Sequence, residues 1–96
     1  MTIYSLEFHV DALKEWRKLD ASVQQQFKKQ LAKRLVQPHV STARLHGALQ
    51  NTYKIKLRQL GYRLVYTVID QKLIVFVIAV GKREQNAVYE TAIKRR

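Results

Sequence analysis

The chain contains no cysteine. Disulfide stapling and thiolate metal sites are therefore excluded. It has three glycines, too few for a glycine-rich loop that cradles nucleotide phosphates, which argues against a nucleotide-dependent enzyme. No apolar run exceeds the stretch from Leu73 to Val80, far short of the ~20 residues a membrane helix requires. The amino-terminal MTIYSLEFHVDAL has no basic segment ahead of an apolar one and does not read as a signal peptide. A soluble cytoplasmic protein with no membrane partner is the expectation. Repeats, linkers and low-complexity segments are also missing. Negative charge is scarce: 7 Asp and Glu face 18 Lys and Arg.

The positive charge is abundant and uneven. The net charge is +11 over 96 residues. Residues 1–40 carry 7 Lys/Arg against 4 Asp/Glu, a net of +3, and residues 41–96 carry 11 against 3, a net of +8. Phosphate backbones are the default partner of such a half. No helix combines a basic face with a strongly apolar one, so a membrane surface is the weaker partner. With 47% hydrophobic residues the length suits one domain, residues 1–96, and not two.

Ile3, Ser5 and Glu7 alternate with Tyr4, Leu6 and Phe8, which predicts a first strand. Asp11 is placed to cap a short helix carrying Leu13, Trp16 and Leu19. Ser22 with Gln25 fits a capping box for a longer helix. Its seam is Val23, Phe27, Leu31 and Leu35, and Pro38 ends it. Lys28, Lys29, Lys33 and Arg34 fall where a solvated face normally lies. Residues 41–50 read as a connector or short strand, with Gly47 as a turn or bulge. KLIVFVIAV at 72–80 is apolar on both faces, as in a central, covered strand ended by Gly81. A turn at Asp70-Gln71 leads into it. A helix with Val88, Tyr89, Ala92 and Ile93 on its apolar side is predicted from Glu84 on, and the terminal Lys94-Arg95-Arg96 suits its dipole. The order predicts an α+β fold with helices on one face of an antiparallel sheet.

The densest information lies in YKIKLRQLGYRLVY at 53–66. Tyr53, Ile55 and Leu57 alternate with Lys54, Lys56 and Arg58, the pattern of a strand with one buried side. Leu60-Gly61 supplies the turn. An even loop pairs Arg58 with Arg63 and Leu57 with Leu64, and gathers Lys54, Lys56, Arg58 and Arg63 on one open face. An odd loop would drive Arg63 into the core, so burial favours the even register. Arg83 stands at the margin of this face. Four cations on one sheet face imply a polyanion.

Conventional acid–base groups are sparse near this face. The carboxylates form no pair in the cationic half, and His9, His39 and His46 lack metal-ligand spacing. No metal and no cofactor is expected. His9 and His39 sit in ordinary loop contexts, whereas His46 precedes Gly47 and approaches the cationic strand. Lysine, arginine and tyrosine suffice for RNA cleavage when the substrate's own 2′-hydroxyl attacks. Like charge around a lysine favours its neutral form, so a clustered lysine can serve as a base. Binding without catalysis fits the same periodicity equally well.

ALKEWRKL at 12–19, YKIKLR at 53–58, GYRLVY at 61–66 and VGKRE at 80–84 resemble the bacterial RelE toxins, and the resemblance runs over nearly the whole chain. It implies a RelE-like β-α-α-β-β-β(-β)-α fold with the sheet packed on two N-terminal helices. It implies a ribosome-dependent endoribonuclease, an mRNA interferase that enters the ribosomal A site, cuts the codon there and leaves a 2′,3′-cyclic phosphate. A RelB-type antitoxin is the implied partner, and operator DNA is met only through the toxin–antitoxin complex. By resemblance Lys54 is the general base, and Lys56 and Arg63 stabilise charge on the scissile phosphate. Arg83 assists the leaving group and Tyr89 orients or stacks the nucleotide. For Arg83, charge stabilisation is physically easier than proton donation. Arg44, His46, Arg58 and Lys82 are the expected RNA or ribosome contacts. His46 departs from the arginine of a known relative, and the basic C-terminus departs from an apolar ending. Related toxins with a catalytic Glu and His do not fit, because Arg83 stands at the late position. Two alternatives remain: a toxin of the same fold acting on gyrase, whose chains lack the Lys-x-Lys, Arg, Arg and Tyr set, and a non-catalytic binding module.

Overall fold

Period-two and helical apolar spacings both take shape in the computed structural model, which describes residues 3–45, 51–82, 84 and 87–95. In chain order it forms β1 (Ser5–Phe8), α1 (Val10–Arg17), α2 (Ala21–Val36), β2 (Thr52–Leu57), β3 (Tyr62–Ile69), β4 (Ile74–Lys82) and α3 (Ala87–Arg95), with 3₁₀ turns at Ser41–Ala43 and Asp70–Lys72. The sheet order is β1-β4-β3-β2. β2, β3 and β4 pair antiparallel, and β1 adds parallel to β4 at the edge. The α+β class and the element order stand, with a mixed rather than wholly antiparallel sheet. β4, apolar on both faces, gains a neighbour on each edge and is central as expected. It runs through Gly81 to Lys82 instead of stopping at the glycine.

Two local expectations are corrected at the helix starts. His9, not Asp11, is the N-cap of α1: its Nδ1 accepts from the Asp11 backbone N–H at 3.1 Å. α2 begins at Ala21 behind Asp20, so Ser22 lies inside the first turn and makes no capping box. The α2 seam packs as predicted, with Val23, Phe27 and Leu31 buried and Leu35 against them. Together with α1 it covers Ile55, Leu64, Tyr66, Val75, Val77 and Val80.

The helices do not share one face of the sheet. α3 packs on the other side, where Val88 and Ala92 meet Val65, Ile78 and Ala79. A β-bulge makes this possible. Val65 pairs with Ala79 but Tyr66 pairs with Val77, so Ile78 is the extra residue. The extra residue resets alternation. Ile78 and Ala79 then both serve the α3 side, while Val77 and Val80 stay on the α1/α2 side.

Polar side chains tie the chain ends of the α1/α2 layer. Arg34 donates to the Tyr66 hydroxyl at 2.8 Å, and that hydroxyl donates to the Pro38 carbonyl at 2.7 Å. Arg34 is thus anchored rather than merely solvated. His39, expected as an ordinary loop histidine, contacts the Tyr53 hydroxyl through Nδ1 at 2.6 Å and Asp70 through Nε2 at 2.9 Å. Tyr4 donates to the same carboxylate at 2.7 Å. The His39 and Tyr4 hydrogen bonds, in that order, hold the Asp70 carboxyl below its ordinary value.

Candidate active site

β2 and β3, TYKIKL and YRLVYTVI, contain no carboxylate. Alternation turns Tyr53, Ile55 and Leu57 toward α1 and α2 and turns Lys54 and Lys56 away. Leu57 pairs with Tyr62, Lys56 with Arg63, and Ile55 with Leu64. The expected partners are therefore displaced by two residues, which leaves every side chain still in the strands on its predicted face. The loop explains the displacement. Gly61 adopts φ 72°, and its N–H donates to the Leu57 carbonyl at 2.8 Å. Arg58 through Gly61 then form the connection, and Arg58 leaves the strand.

Lys56 and Arg63 stand directly opposite one another, ~5 Å apart at Cβ for such a pair. Lys54 opposes Val65 on the same face. On its other side Arg63 faces Gly81, which contributes no side chain. The Arg63 guanidinium carbon lies 4.9 Å from the centre of the Tyr89 ring, a cation–π geometry. Lys54, Arg63 and Tyr89 are half-buried and Lys56 is exposed. Burial pushes the Tyr89 hydroxyl above its ordinary value, against the smaller opposing pull of Arg63's charge. Tyr89 is therefore a neutral group at physiological pH, suited to orienting rather than accepting a proton. Its hydroxyl is buried without a hydrogen-bond partner among the described residues.

α3 holds Tyr89 in place through a pair that sequence reasoning missed. Arg95 meets Glu15 of α1 in two contacts, Nη1–Oε1 at 2.7 Å and Nη2–Oε2 at 3.1 Å. Its Nη1 also donates to the carbonyl of the bulged residue Ile78 at 2.9 Å, and Glu15 accepts the Val80 N–H at 3.2 Å. The two residues lie 80 positions apart, and no local pattern links them.

The structure brings Lys54, Lys56, Arg63 and Tyr89 together. Arg58 is exposed at the hairpin tip next to Lys56. Arg44 is exposed and bridges Tyr53. Bridged residues share a face, so Arg44 points to the α2 side. Lys82 pairs with Tyr62 and lines a separate pocket of about 340 Å³ with Glu15 and Glu84. Arg83 and His46 lie outside the described residues, as does Gly47. No helix among the described residues is long and apolar enough to cross a membrane.

Comparison with known proteins gives concordant matches. A model described as the ParE toxin of type II toxin–antitoxin systems, parDE, matches residues 6–87. The mRNA interferase toxin RelE of Escherichia coli K12 is 54% identical over 92 residues, 96% of each chain. A free-state structure of E. coli RelE carrying two arginine-to-alanine changes is similar at a TM-score of 0.89 and 52% identity, with 98% of each chain covered. The same mutant in complex with a peptide of the antitoxin RelB gives a TM-score of 0.82 at 52% identity, with 99% of each chain covered.

Proposed function

Because this chain belongs to the RelE/ParE family of type II toxins, we propose that it is a single-domain mRNA interferase, an endoribonuclease that cuts mRNA in the ribosomal A site and so halts translation. The observation that carries the reading is the cluster itself. Lys56 stands opposite Arg63, Arg63 lies on Tyr89, and Lys54 sits one step along the same face. The 2′-hydroxyl of the substrate attacks the adjacent phosphorus. A 2′-oxygen–phosphorus bond forms, the bond to the 5′-oxygen breaks, and a 2′,3′-cyclic phosphate remains. Lys54 takes the 2′-hydroxyl proton. Lys56 and Arg63 oppose the charge that grows on the phosphoryl oxygens, the kind of fixed electrostatic help that supplies ~10²–10³ per donor. Tyr89 orients the nucleotide. Arg83 is assigned to the leaving-group side, where it stabilises charge while water returns the proton.

No histidine or carboxylate of β2 or β3 joins the cluster, so geometry must supply much of the acceleration. Holding reactants in line is worth ~7–11 kcal/mol when the pose is fixed. A ribosome gripping the mRNA on both sides of the codon provides that pose. Isolated protein should bind naked RNA with strong salt dependence and leave it intact. In cells the toxin works in the cytoplasm and is silenced by a RelB-type antitoxin, with which it represses its own operon. Primer extension on translated mRNA tests the class: cuts inside A-site codons that vanish without ribosomes support it. Intact mRNA with inhibited gyrase would instead support the gyrase-directed reading.

A further inference from the structure

A cleft of about 450 Å³ opens where the hairpin tip meets the first turns of α2. Ser22 and Gln26 form one wall, and Lys56, Leu57, Arg58, Gln59 and Leu60 the other. Lys56 belongs both to the cleft and to the candidate active face, so the two surfaces are continuous. Among the described residues the side chains of Ser22, Gln26 and Arg58 have no hydrogen-bond or ion-pair partner. The α2 wall does not stop at the cleft. Ser22, Gln26, Lys29 and Lys33 follow one another at i, i+4, i+7 and i+11, so they form one row along the helix, ~16 Å long. All four are exposed. Residues 21–69 contain no Asp or Glu, so no carboxylate of α2, β2, β3 or their connections neutralises the row.

Resting on the RNA-cleaving function proposed above, we propose that this cleft and row are a track for the backbone of single-stranded RNA running off the active face. The chemistry is that of phosphate and ribose recognition: cations spaced along a line, with hydroxyl and amide groups that can bond phosphate oxygens and 2′-hydroxyls. The α2 row has no apolar member, and Leu57 and Leu60 lie only at the hairpin end of the path, so along α2 there is no apolar anchor of the kind a protein partner uses. The path turns around the hairpin tip from the sheet face onto α2. A duplex, stiff over ~150 base pairs, cannot follow that turn.

The test uses the full chain with Gln26→Glu, Lys29→Glu and Ser22→Asp, and Lys72→Ala as a control cation at the far end of β3. Ser22→Asp places an acid in the first turn of α2, where the helix favours it, so it cannot act by unfolding. The probe is a fluorescein-labelled, 2′-O-methylated single-stranded RNA followed by anisotropy over a salt series. Each track variant should bind about tenfold more weakly at low salt, and Lys29→Glu should lower the slope of log affinity against log salt by at least ~0.7. On programmed ribosomes the same variants should raise KM and leave kcat near wild type. Lys72→Ala should match wild type in both assays. Track variants with wild-type affinity and slope would overturn the proposal, as would a loss confined to antitoxin binding. If wild type itself fails to cut on ribosomes while the slope still falls, the nuclease function is wrong and the track stands.

Discussion

Arg95→Met removes the ionic contact that fastens α3 and keeps most of the side chain's aliphatic volume. Val88 and Ala92 are the buried apolar residues of α3, a small area for nine residues. The Arg95 side chain is 17% exposed and Glu15 34%, so the pair is neither a surface bridge worth ~0–1 kcal/mol nor a fully buried one whose disruption costs ~3–5 kcal/mol. An intermediate loss of about 2 kcal/mol follows, and it leaves Glu15 to find water. At 1.4 kcal/mol per tenfold, amide exchange across residues 87–95 should accelerate about 30-fold, because helix detachment is the cheapest opening that breaks these contacts. Arg95→Lys retains charge without the two-pronged geometry and should recover only part of the protection. Tyr89 rides on α3, so ribosome-dependent cleavage should fall with protection. Unchanged exchange in α3 for Arg95→Met would refute the idea that this pair holds the helix.

Three further outcomes follow from the same geometry. Arg63→Ala should cut the single-turnover rate on programmed ribosomes by ~10²–10³ and lower stability by only ~0.5–2 kcal/mol through the lost contact with Tyr89; equal collapse of melting temperature and activity would make Arg63 structural. Gly61→Ala should destabilise by about 1 kcal/mol in urea unfolding because Gly61 holds φ 72°, whereas Gly81→Ala should be neutral or slightly stabilising, since its new Cβ would meet Val88 Cγ2 at an ordinary 3.7 Å. Asp70→Asn should flatten the acid side of the pH–stability profile: a carboxyl whose folded value is depressed contributes above its unfolded value near ~3.9 and loses that contribution as pH falls through the folded one. A variant that tracks wild type through that window would show that the His39 and Tyr4 hydrogen bonds give no acid-range stability.

Strict alternation made much of the site legible. Lys54, Lys56 and Arg63 share a face for any loop of even length, so the two-residue displacement of the hairpin cost nothing except Arg58. The exact pairing was not legible because it depends on Gly61 at the end of the loop. The covered character of β4 was read from KLIVFVIAV, and the same pattern held a further signal. An apolar run on both faces, with Val65 beside it, requires a lid on the cationic side as well, and α3 is that lid. Its placement explains why Tyr89 lies over Arg63, a contact that periodicity alone did not reveal. The Glu15–Arg95 pair and the His39–Asp70–Tyr4 group join distant segments through single side chains. Such contacts have no period to read.

Cleavage by this cluster depends above all on the substrate's own 2′-hydroxyl as the nucleophile. Ribosomes programmed with two mRNAs, identical except for a single 2′-deoxy sugar on the 5′ side of the scissile bond in the A-site codon, separate the possibilities in one gel. The all-ribose message should be cut there and carry a 2′,3′-cyclic phosphate, while the 2′-deoxy message stays intact at that bond. Cleavage of the 2′-deoxy message at the same position and rate would contradict the account, because Lys54, Lys56, Arg63 and Tyr89 would then be activating some nucleophile other than the substrate's own hydroxyl.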